Sequence, residues 1–572
     1  MNDNQGRFAL VLHSHIPFVL RHGRWPHGTD WLCEAAAESY LPILASLERL
    51  HRDKIPSRLT LTMSPILCEQ LADPDFKNEF SEWLRVKGEQ VRADSRRPEL
   101  SHVAATWLAW LSETQNRFDT IEGNIVSAFR KYEELGMIEI GTCAATHGYL
   151  PLLSRDESVS LQLRVAVETH EKHFGKKPRG IWLPECAYRP RYEWTPPIGR
   201  DAGKYRWMRQ GIEESVAKLG IQYFFVDAHL VHAGDPLSIY RNFYSSLASL
   251  RGYEERFPQS PKTRSPLATY QVKSRGATAT ATAFIREPRT SLQIWSRDEG
   301  YPGDGFYLDF HKRNVANGMR YYRVTGPGAA DANKAVYEPE VAAARAEEHA
   351  RHFVWLIGET LRSRSESGEL DGIVCSPFDT ELFGHWWFEG PLFIEHVFRH
   401  LAETDIVAVA ASDELNNTAT RETVQLMEGS WGEGGDHRAW LNNDTEWTWN
   451  RLYDAEADIA DAAKIWKSKI SAASPATLTI LQRAMKQALR ELLLLQSSDW
   501  QFAITTRSAR DYAERRFATH YVELKRLADI VRRGLNTEIT DPEDLAYLEA
   551  MERRDRAFQN MDIDSFINNS SL

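Results

Sequence analysis

The chain has 572 residues, of which 42% are hydrophobic and 26% are charged, a composition typical of a globular protein with a large core. Its formal net charge is −11, and no basic cluster is interleaved with aromatic residues, which argues against a nucleic-acid partner and favours a neutral substrate. Five widely spaced cysteines argue against a disulfide framework and favour a reducing compartment. Without a leader-like N-terminal segment or a run of eighteen apolar residues, the sequence predicts a cytoplasmic protein with no membrane partner.

Short β-rich runs alternate with helical patterns along most of the chain. The predicted strands are FALVLH (8–13), RLTLTM (58–63), IEIGTC (138–143), GIWLPE (180–185), QYFFVD (222–227), GIVCSP (372–377) and DIVAVA (405–410). Between them lie segments such as 30–50, in which apolar residues recur every three or four positions. This alternation predicts a parallel sheet closed into a β/α barrel.

Two regions depart from the alternation. Residues 188–270 are rich in Pro, Gly, Ser and aromatic residues, which predicts an inserted domain carrying a long loop at the active-site face. From residue 411 onward the apolar spacing is helical, which predicts a C-terminal helical domain over 411–572. The remaining segments, 1–187 and 271–410, are predicted to form the catalytic barrel.

Ionisable residues follow several of the predicted strands. They are His13, His15, His147, Glu185 and Asp379. In a β/α barrel the carboxyl ends of the strands carry the chemistry, so we expect these side chains to meet. Two carboxylates surrounded by tryptophans, which can cover the apolar faces of sugar rings, favour cleavage of a glycosidic bond.

The His-x-His of the first strand supports a second interpretation. Metal-dependent hydrolases built on barrels begin in the same way, and His147 with Asp379 would complete a metal site. A metal mechanism leaves the dense tryptophans without a role, but spacing alone does not exclude it.

Five ordered motifs resemble the sequence regions of family 57 glycoside hydrolases. The motifs are HSHIPF, IEIGTCAATHGYLP, GIWLPECAY, SPFDTELFGHWWFEG and SWGEGGDHRAWLNNDTEWTWNRLYDAE, and the resemblance extends over nearly the whole chain. The segments 286–312 and 491–506 resemble the 1,4-α-glucan branching enzymes of that family. The resemblance implies a (β/α)7 barrel with a small inserted domain and a C-terminal helical domain. It also implies a retaining mechanism on an α-1,4-glucan such as amylose or a glycogen-like polymer, with Glu185 as nucleophile and Asp379 as general acid/base.

Further site residues follow from the same resemblance. The family's glucan-binding positions fall on Arg286, Gly303, Trp431 and Asp499, and aromatic groove positions on Trp295 and Trp440. Ser508 stands where branching enzymes usually carry glutamine, and a shorter donor there favours a lost or water-mediated contact. We expect His13, His15 and His147 to hydrogen-bond the sugar, without a metal or cofactor. In the insertion, Tyr253 is the candidate for the tip of a closing loop, ahead of Tyr240 and Tyr244.

Other functions stay open at this point. An α-glucan hydrolase or a 4-α-glucanotransferase of the same family shares the two carboxylates. A non-catalytic glucan-binding homologue would not need both Glu185 and Asp379, and the chain carries both. The metal-dependent hydrolase described above is the alternative from another class.

Overall fold

A computed structural model describes residues 6–569, apart from 25, 200–201, 233–235, 238–243, 245, 248–249, 251–263, 297–298, 316, 327, 364–371, 417–420 and 538–540. These described residues form twelve strands, numbered in chain order: β1 Arg7–Ser14, β2 Leu59–Met63, β3 Ile138–Cys143, β4 Gly180–Trp182, β5 Tyr192–Trp194, β6 Trp207–Arg209, β7 Tyr223–Val226, β8 Thr269–Val272, β9 Ala281–Ile285, β10 Ile373–Asp379, β11 Val407–Ala408 and β12 Thr423–Val424.

Seven parallel strands form the centre of the described fold, in the order β10-β1-β2-β3-β4-β7-β9. The ring is closed just beyond β9, where Arg286 forms a parallel bridge with Cys375 of β10. The backbone N–H of Glu287 donates to the Cys375 carbonyl at 2.9 Å across the same closure. The sheet is therefore a (β/α)7 barrel, as the resemblance implies.

Helices cover the outside of the barrel, which explains why its strands are continuously apolar. Eighteen α-helices lie in the described residues: α1 Thr29–Ala35, α2 Leu41–Arg52, α3 Pro65–Leu71, α4 Pro74–Asp94, α5 Ser101–Thr120, α6 Ile125–Glu134, α7 Asp156–Phe174, α8 Ile212–Ala217, α9 Pro288–Trp295, α10 Pro339–Arg362, α11 Gly390–Leu401, α12 Ala411–Leu415, α13 Glu446–Lys469, α14 Pro475–Leu495, α15 Ser498–Thr506, α16 Arg510–Thr537, α17 Pro542–Arg554 and α18 Ile563–Asn569. None of them is long and apolar enough to cross a membrane.

Six of the seven predicted strands are barrel strands, and one is not. The run 405–410 contains only the two-residue strand β11, which pairs with β1 beside the barrel path. Among the seven barrel strands, the one that the sequence did not predict is β9, within the run ATATATAFI (277–285). Small Ala and Thr residues weaken the apolar signal of β9, although all five of its residues are buried.

The predicted insertion is interrupted by the barrel. Within 188–270, β5 and β6 form a separate antiparallel hairpin. The same range contains β7, which pairs with β4 on one side and β9 on the other. A run with strong strand character therefore returns to the barrel within the range predicted as the inserted domain, and the bounds of that domain stay a prediction. The other domain boundaries stay predictions.

The C-terminal region is helical from α13 onward, as its apolar spacing predicts. The stripe on α14 is buried, with Leu481, Met485, Ala488 and Leu495 all fully covered. The start of α15 is docked on the barrel: Ser497 forms an antiparallel bridge with Gly148, and the Ser498 N–H donates to the His147 carbonyl at 3.0 Å. All five cysteines are free and buried.

Candidate active site

The candidate site lies at the carboxyl ends of the barrel strands. Polar side chains follow or end each of them: His13 on β1 and His15 after it, Ser64 after β2, His147 after β3, Glu185 after β4, Asp227 after β7, Arg286 after β9 and Asp379 on β10. The C-terminal region adds Trp431 and the segment 497–499. These side chains therefore lie together at the carboxyl edge of the barrel sheet.

Glu185 is held on a strained turn. The chain leaves β4 through Leu183 and Pro184, and Glu185 and Cys186 both take left-handed backbone conformations with φ of 61° and 48°. Such conformations are costly for residues other than glycine and persist where surrounding contacts hold them. Here the Trp431 N–H donates to the Glu185 carbonyl at 3.0 Å. The turn aims the Glu185 side chain into the site.

Both oxygens of the Glu185 carboxylate are hydrogen-bonded. Trp431 Nε1–H donates to Oε2 at 2.8 Å, and the Ser498 hydroxyl donates to Oε1 at 2.9 Å. Burial raises the pKa of Glu185 to about 8. The hydrogen bonds from Trp431 and Ser498 act to lower this pKa, whereas the negative charges of Asp379 and Asp499 act to raise it. The charge state of Glu185 therefore depends on a balance between desolvation, repulsion and these two donors.

Asp379 is the last residue of β10, which pairs with β1, and in the register of these two strands Asp379 lies opposite His13. Its carboxylate is close enough to Glu185 for its charge to contribute to the raised pKa of Glu185. Asp379 also contributes to the raised pKa of Tyr244, after the larger effect of burial. The structure thus brings the two predicted catalytic carboxylates into one electrostatic environment.

The three predicted histidines form a stacked cluster. His15 stacks on His147 with ring centroids 4.2 Å apart, and His13 stacks on Trp182 at 4.7 Å. Their ring nitrogens contact protein groups: His13 contacts Thr62 and His147, His147 contacts His13 and Ser498, and His15 contacts Ser64 and Asp499. A sugar hydroxyl would have to replace one of these bonds, so sugar binding by the histidines stays a prediction.

The same contacts bear on the metal hypothesis. Ligand atoms of His13, Cys143 and His147, and those of His15, His147 and Asp499, lie within 4.8 Å of one another. Because every imidazole nitrogen among them already has a hydrogen-bond partner, a cation would have to displace these bonds. The arrangement favours a hydrogen-bonded cluster over a metal site.

Asp499 is the acidic anchor of this cluster. Its Oδ2 accepts from His15 Nε2 at 2.9 Å and from the Ser497 hydroxyl at 2.5 Å. Burial acts to raise the pKa of Asp499, but His15, His147 and Ser497 outweigh it and bring the pKa to about 2. Asp499 is therefore ionised and oriented by protein groups, and glucan binding by it stays a prediction.

Arg286 occupies a buried position behind Trp431. Its Nη2 donates to Asp227 Oδ2 at 2.6 Å, and both side chains are at most 1% exposed. The guanidinium carbon lies 5.4 Å from the centre of the Trp431 ring. These contacts give Arg286 a role in holding Trp431, while direct glucan binding by Arg286 stays a prediction.

The predicted tryptophans pack against protein side chains. Trp431 meets Trp182 edge-on at 5.0 Å, Trp440 stacks on Tyr149 at 4.6 Å, and Trp295 lies 5.9 Å from Trp386. Trp295, Trp431 and Trp440 are all at most 2% exposed. Stacking on glucan by these three rings requires movement of the covering groups and stays a prediction.

Three predicted residues stand apart from the Glu185 cluster. Gly303 lines a cavity of about 340 Å³ with Tyr301, His349 and His352. Ser508 lines another of about 420 Å³ with Arg507 and Tyr512, and its hydroxyl contacts Thr506 Oγ1 at 2.9 Å. Tyr253 lies outside the described residues. Roles for Gly303, Ser508 and Tyr253 stay predictions.

Two residues that contact predicted site residues, Ser498 and Asp227, are not among those named from the sequence. Tyr240, like Tyr253, lies outside the described residues, so the ranking of Tyr253 ahead of Tyr240 and Tyr244 stays a prediction. Ser498 was adjacent to the predicted Asp499 but contacts Glu185 directly. Asp227 ends the predicted strand 222–227, and this position was a usable signal. Tyr244 packs edge-on against Phe502 at 5.7 Å. Burial raises the pKa of Tyr244, and the negative charge of Asp379 adds to this effect.

Comparisons with known proteins agree with this geometry. The model of glycosyl hydrolase family 57 matches residues 9–427, and that of the 1,4-alpha-glucan branching enzyme C-terminal region matches residues 459–566. A 1,4-alpha-glucan branching enzyme from Thermococcus kodakarensis is 37% identical over 98% of this chain and 79% of its own length. Its crystal structure, a complex with glucose and additives, gives a TM-score of 0.88 at 36% identity and covers 98% of this chain and 96% of that chain.

Two further solved structures are similar over nearly their whole lengths. A family 57 branching enzyme from Pyrococcus horikoshii gives a TM-score of 0.86 at 38% identity, over 99% of this chain and 97% of that chain. An alpha-amylase from Thermotoga maritima gives 0.75 at 28% identity, over 97% of this chain and 99% of that chain. The resemblance inferred from the motifs is confirmed, and the chain belongs to glycosyl hydrolase family 57.

Proposed function

We propose that this chain is a 1,4-α-glucan branching enzyme. It would cleave an α-1,4 bond in a glucan and transfer the released chain to a 6-hydroxyl group, forming an α-1,6 branch. Relatives that are 36–38% identical to the chain support this activity through their names, and so does the match to the branching-enzyme C-terminal region.

The observation that carries the proposal is the contact between this C-terminal region and the reacting carboxylate. Ser498, which lies within residues 459–566, donates to Glu185, and the adjacent Asp499 binds His15 of the barrel. These contacts support a part for the region characteristic of branching enzymes in the reaction. A remote binding module would not contact the nucleophile.

The two carboxylates supply a retaining double displacement. Glu185 attacks the anomeric carbon while Asp379 protonates the leaving glycosidic oxygen, which releases the reducing-end fragment. The 6-hydroxyl of an acceptor glucan then attacks the covalent intermediate, and Asp379 accepts its proton. Each cycle returns Glu185 to the carboxylate and Asp379 to the acid.

The position of Glu185 suits this role. Its buried carboxylate is oriented by Trp431 and Ser498, and removal of water favours transfer over hydrolysis once the intermediate has formed. We also propose that the product is a glycogen-type glucan. A cytoplasmic location is supported by five free, buried cysteines.

One assay tests the activity. The purified chain is incubated with amylose, and reducing ends and α-1,6 linkages are measured together over time. We expect linkages to rise well ahead of free reducing ends. Reducing ends without α-1,6 linkages would identify an α-glucan hydrolase, and new α-1,4 chain lengths without either product would identify a 4-α-glucanotransferase.

A further inference from the structure

Four buried side chains connect strand β2 to Glu185 by consecutive hydrogen bonds. Thr62 Oγ1 lies 2.9 Å from His13 Nδ1, and His13 Nε2 lies 3.1 Å from His147 Nε2. His147 Nδ1 lies 2.8 Å from Ser498 Oγ, which lies 2.9 Å from Glu185 Oε1. We call Thr62, His13, His147 and Ser498 the relay. Each of the four is at most 5% exposed.

The two histidines are neutral in this environment. Burial lowers the pKa of both His13 and His147 well below the ordinary value, and the neighbouring histidines add to the effect. A neutral imidazole carries one N–H, so only one of the two facing Nε2 atoms can donate. The relay therefore has two consistent arrangements, in which all donors point toward Glu185 or all point away from it.

In the first arrangement Thr62 donates to His13, His13 Nε2–H donates to His147, His147 Nδ1–H donates to Ser498, and Ser498 donates to an ionised Glu185. In the second, a protonated Glu185 donates to Ser498 and every bond is reversed. The Thr62 hydroxyl must then turn to the Leu12 carbonyl at 3.4 Å, a longer contact than the 2.9 Å to His13. The geometry at Thr62 favours the first arrangement.

We propose that Ser498 is a positioning residue for Glu185, and that the relay directs its donors at Glu185 and thereby shifts the proton of the catalytic pair toward Asp379. This inference rests on the proposed function, in which Glu185 reacts as the carboxylate. Trp431 acts in the same sense, because its indole N–H can only donate.

Several other ionisable groups face Glu185 or the relay and affect the charge state of Glu185 or of the relay histidines. They are Asp379 of β10, Asp499 of α15, His15 after β1, Cys143 and Tyr149 after β3, and Cys186. The two carboxylates disfavour ionisation of Glu185. Since burial acts in the same direction, donors aimed at Glu185 are needed to oppose it.

Thr62 provides the sharpest test because none of the hydrogen bonds of the relay joins it directly to Glu185 or Asp379. Thr62→Val removes the hydroxyl at nearly constant shape, and Thr62→Ser keeps it. Ser498→Ala removes the last member of the relay. The pH dependence of kcat/KM and the separate kcat and KM values on amylose are measured for all three variants, with thermal unfolding as the check on folding.

Loss of a donor should raise the pKa of Glu185. The limb of the kcat/KM profile on which activity rises with pH should therefore move to higher pH. We expect a shift of about one pH unit in Thr62→Val and Ser498→Ala, with kcat about tenfold lower on that limb and KM within about twofold. Thr62→Ser should follow the wild type. An equal loss at every pH, or a Thr62→Ser profile like that of Thr62→Val, would overturn the relay.

Histidine tautomers give a second test that does not depend on activity. In the intact protein labelled with ¹⁵N-histidine, NMR should show His13 protonated on Nε2 and His147 protonated on Nδ1. The opposite tautomers would contradict the proposed direction. Glu185→Gln distinguishes a failure of the proposed mechanism from a failure of the relay. If branching survives in Glu185→Gln, the proposed mechanism is refuted. If Glu185→Gln is inactive but the pH profile of Thr62→Val is not shifted, only the relay is refuted.

Discussion

Trp431 holds Glu185 at two points: its indole Nε1–H donates to the carboxylate at 2.8 Å, and its backbone N–H donates to the Glu185 carbonyl at 3.0 Å. Trp431 is 2% exposed and packs against Trp182 and Arg286. The C-terminal segment that carries Trp431 therefore fixes both the backbone and the side chain of the predicted nucleophile.

Trp431→Phe tests the side-chain contact. It should lower kcat about 10- to 150-fold, because a hydrogen bond to a charged group contributes about 1.5–3 kcal/mol. Steady-state branching rates on amylose provide the measurement. Trp387→Phe is the matched control, since its indole nitrogen has no hydrogen-bond partner among the described residues and its ring packs on Phe393. Equal losses in both variants would assign the effect to ring volume.

The roles of the two carboxylates are separable by amide substitution. Glu185→Gln should abolish branching, because an amide cannot form the glycosyl intermediate. Asp379→Asn should lose about 10²- to 10⁴-fold for want of a proton donor. Rates are followed by α-1,6 linkages and glucan binding by calorimetry, and binding should survive in both variants. Substantial branching by Glu185→Gln would remove it from the nucleophile role.

Glu185 should make the free energy of unfolding depend on pH. Because its folded pKa of about 8 lies above the ordinary carboxyl value, the folded state keeps a proton that the unfolded state releases. Between these two pKa values the free energy of unfolding falls by about 1.4 kcal/mol per pH unit from this group, and the loss is complete above the folded pKa.

Glu185→Gln removes that dependence. The Tm advantage of the variant over the wild type should grow from pH 5 to pH 8 and then level off, as measured by calorimetry at matched ionic strength. Glu193→Gln, in the exposed part of hairpin β5–β6, should keep a constant difference from the wild type. A pH-independent difference for Glu185→Gln would contradict the raised pKa.

Chelation separates the glycosidase mechanism from the metal alternative. We expect branching activity to survive prolonged treatment with EDTA, because the nitrogens of His13, His15 and His147 are engaged by protein groups. Activity on amylose and metal content by mass spectrometry are compared before and after dialysis. Loss of activity that zinc or manganese restores would support a metal-dependent hydrolase.

Tyr244 is the described tyrosine best placed to affect the fate of the intermediate. Its ring packs on Phe502 and lies within range of the charge of Asp379. Tyr244→Ala should retain α-1,4 cleavage but shift products from α-1,6 branches toward reducing ends several-fold, because water gains access. Tyr253→Ala tests the candidate from the sequence in the same assay. Tyr205→Ala, at a side chain that is 63% exposed, serves as control.

Local sequence patterns were sufficient for most of the barrel and for its reactive edge. Apolar runs that stop at proline or at an acid predicted that Glu185 and Asp379 lie at the carboxyl ends of barrel strands, in the same site. Strand β9 escaped because Ala and Thr supply little apolar contrast, although the closed barrel buries all five of its residues. Strand β7 was predicted as a strand, but its flanking segments placed it within the bounds of the predicted insertion.

The sequence by itself determined the family and six of the seven barrel strands, and it singled out the two carboxylates that we propose to react, because these depend on periodicity and on short ordered motifs. Only the tertiary structure decided that Ser498 touches Glu185, 313 positions away, and that His13 and His147 use their nitrogens within the protein. Hydrogen-bond partners and pKa values depend on which distant groups exclude water from a side chain. That exclusion is created when the C-terminal helices dock on the barrel, and no local pattern encodes it.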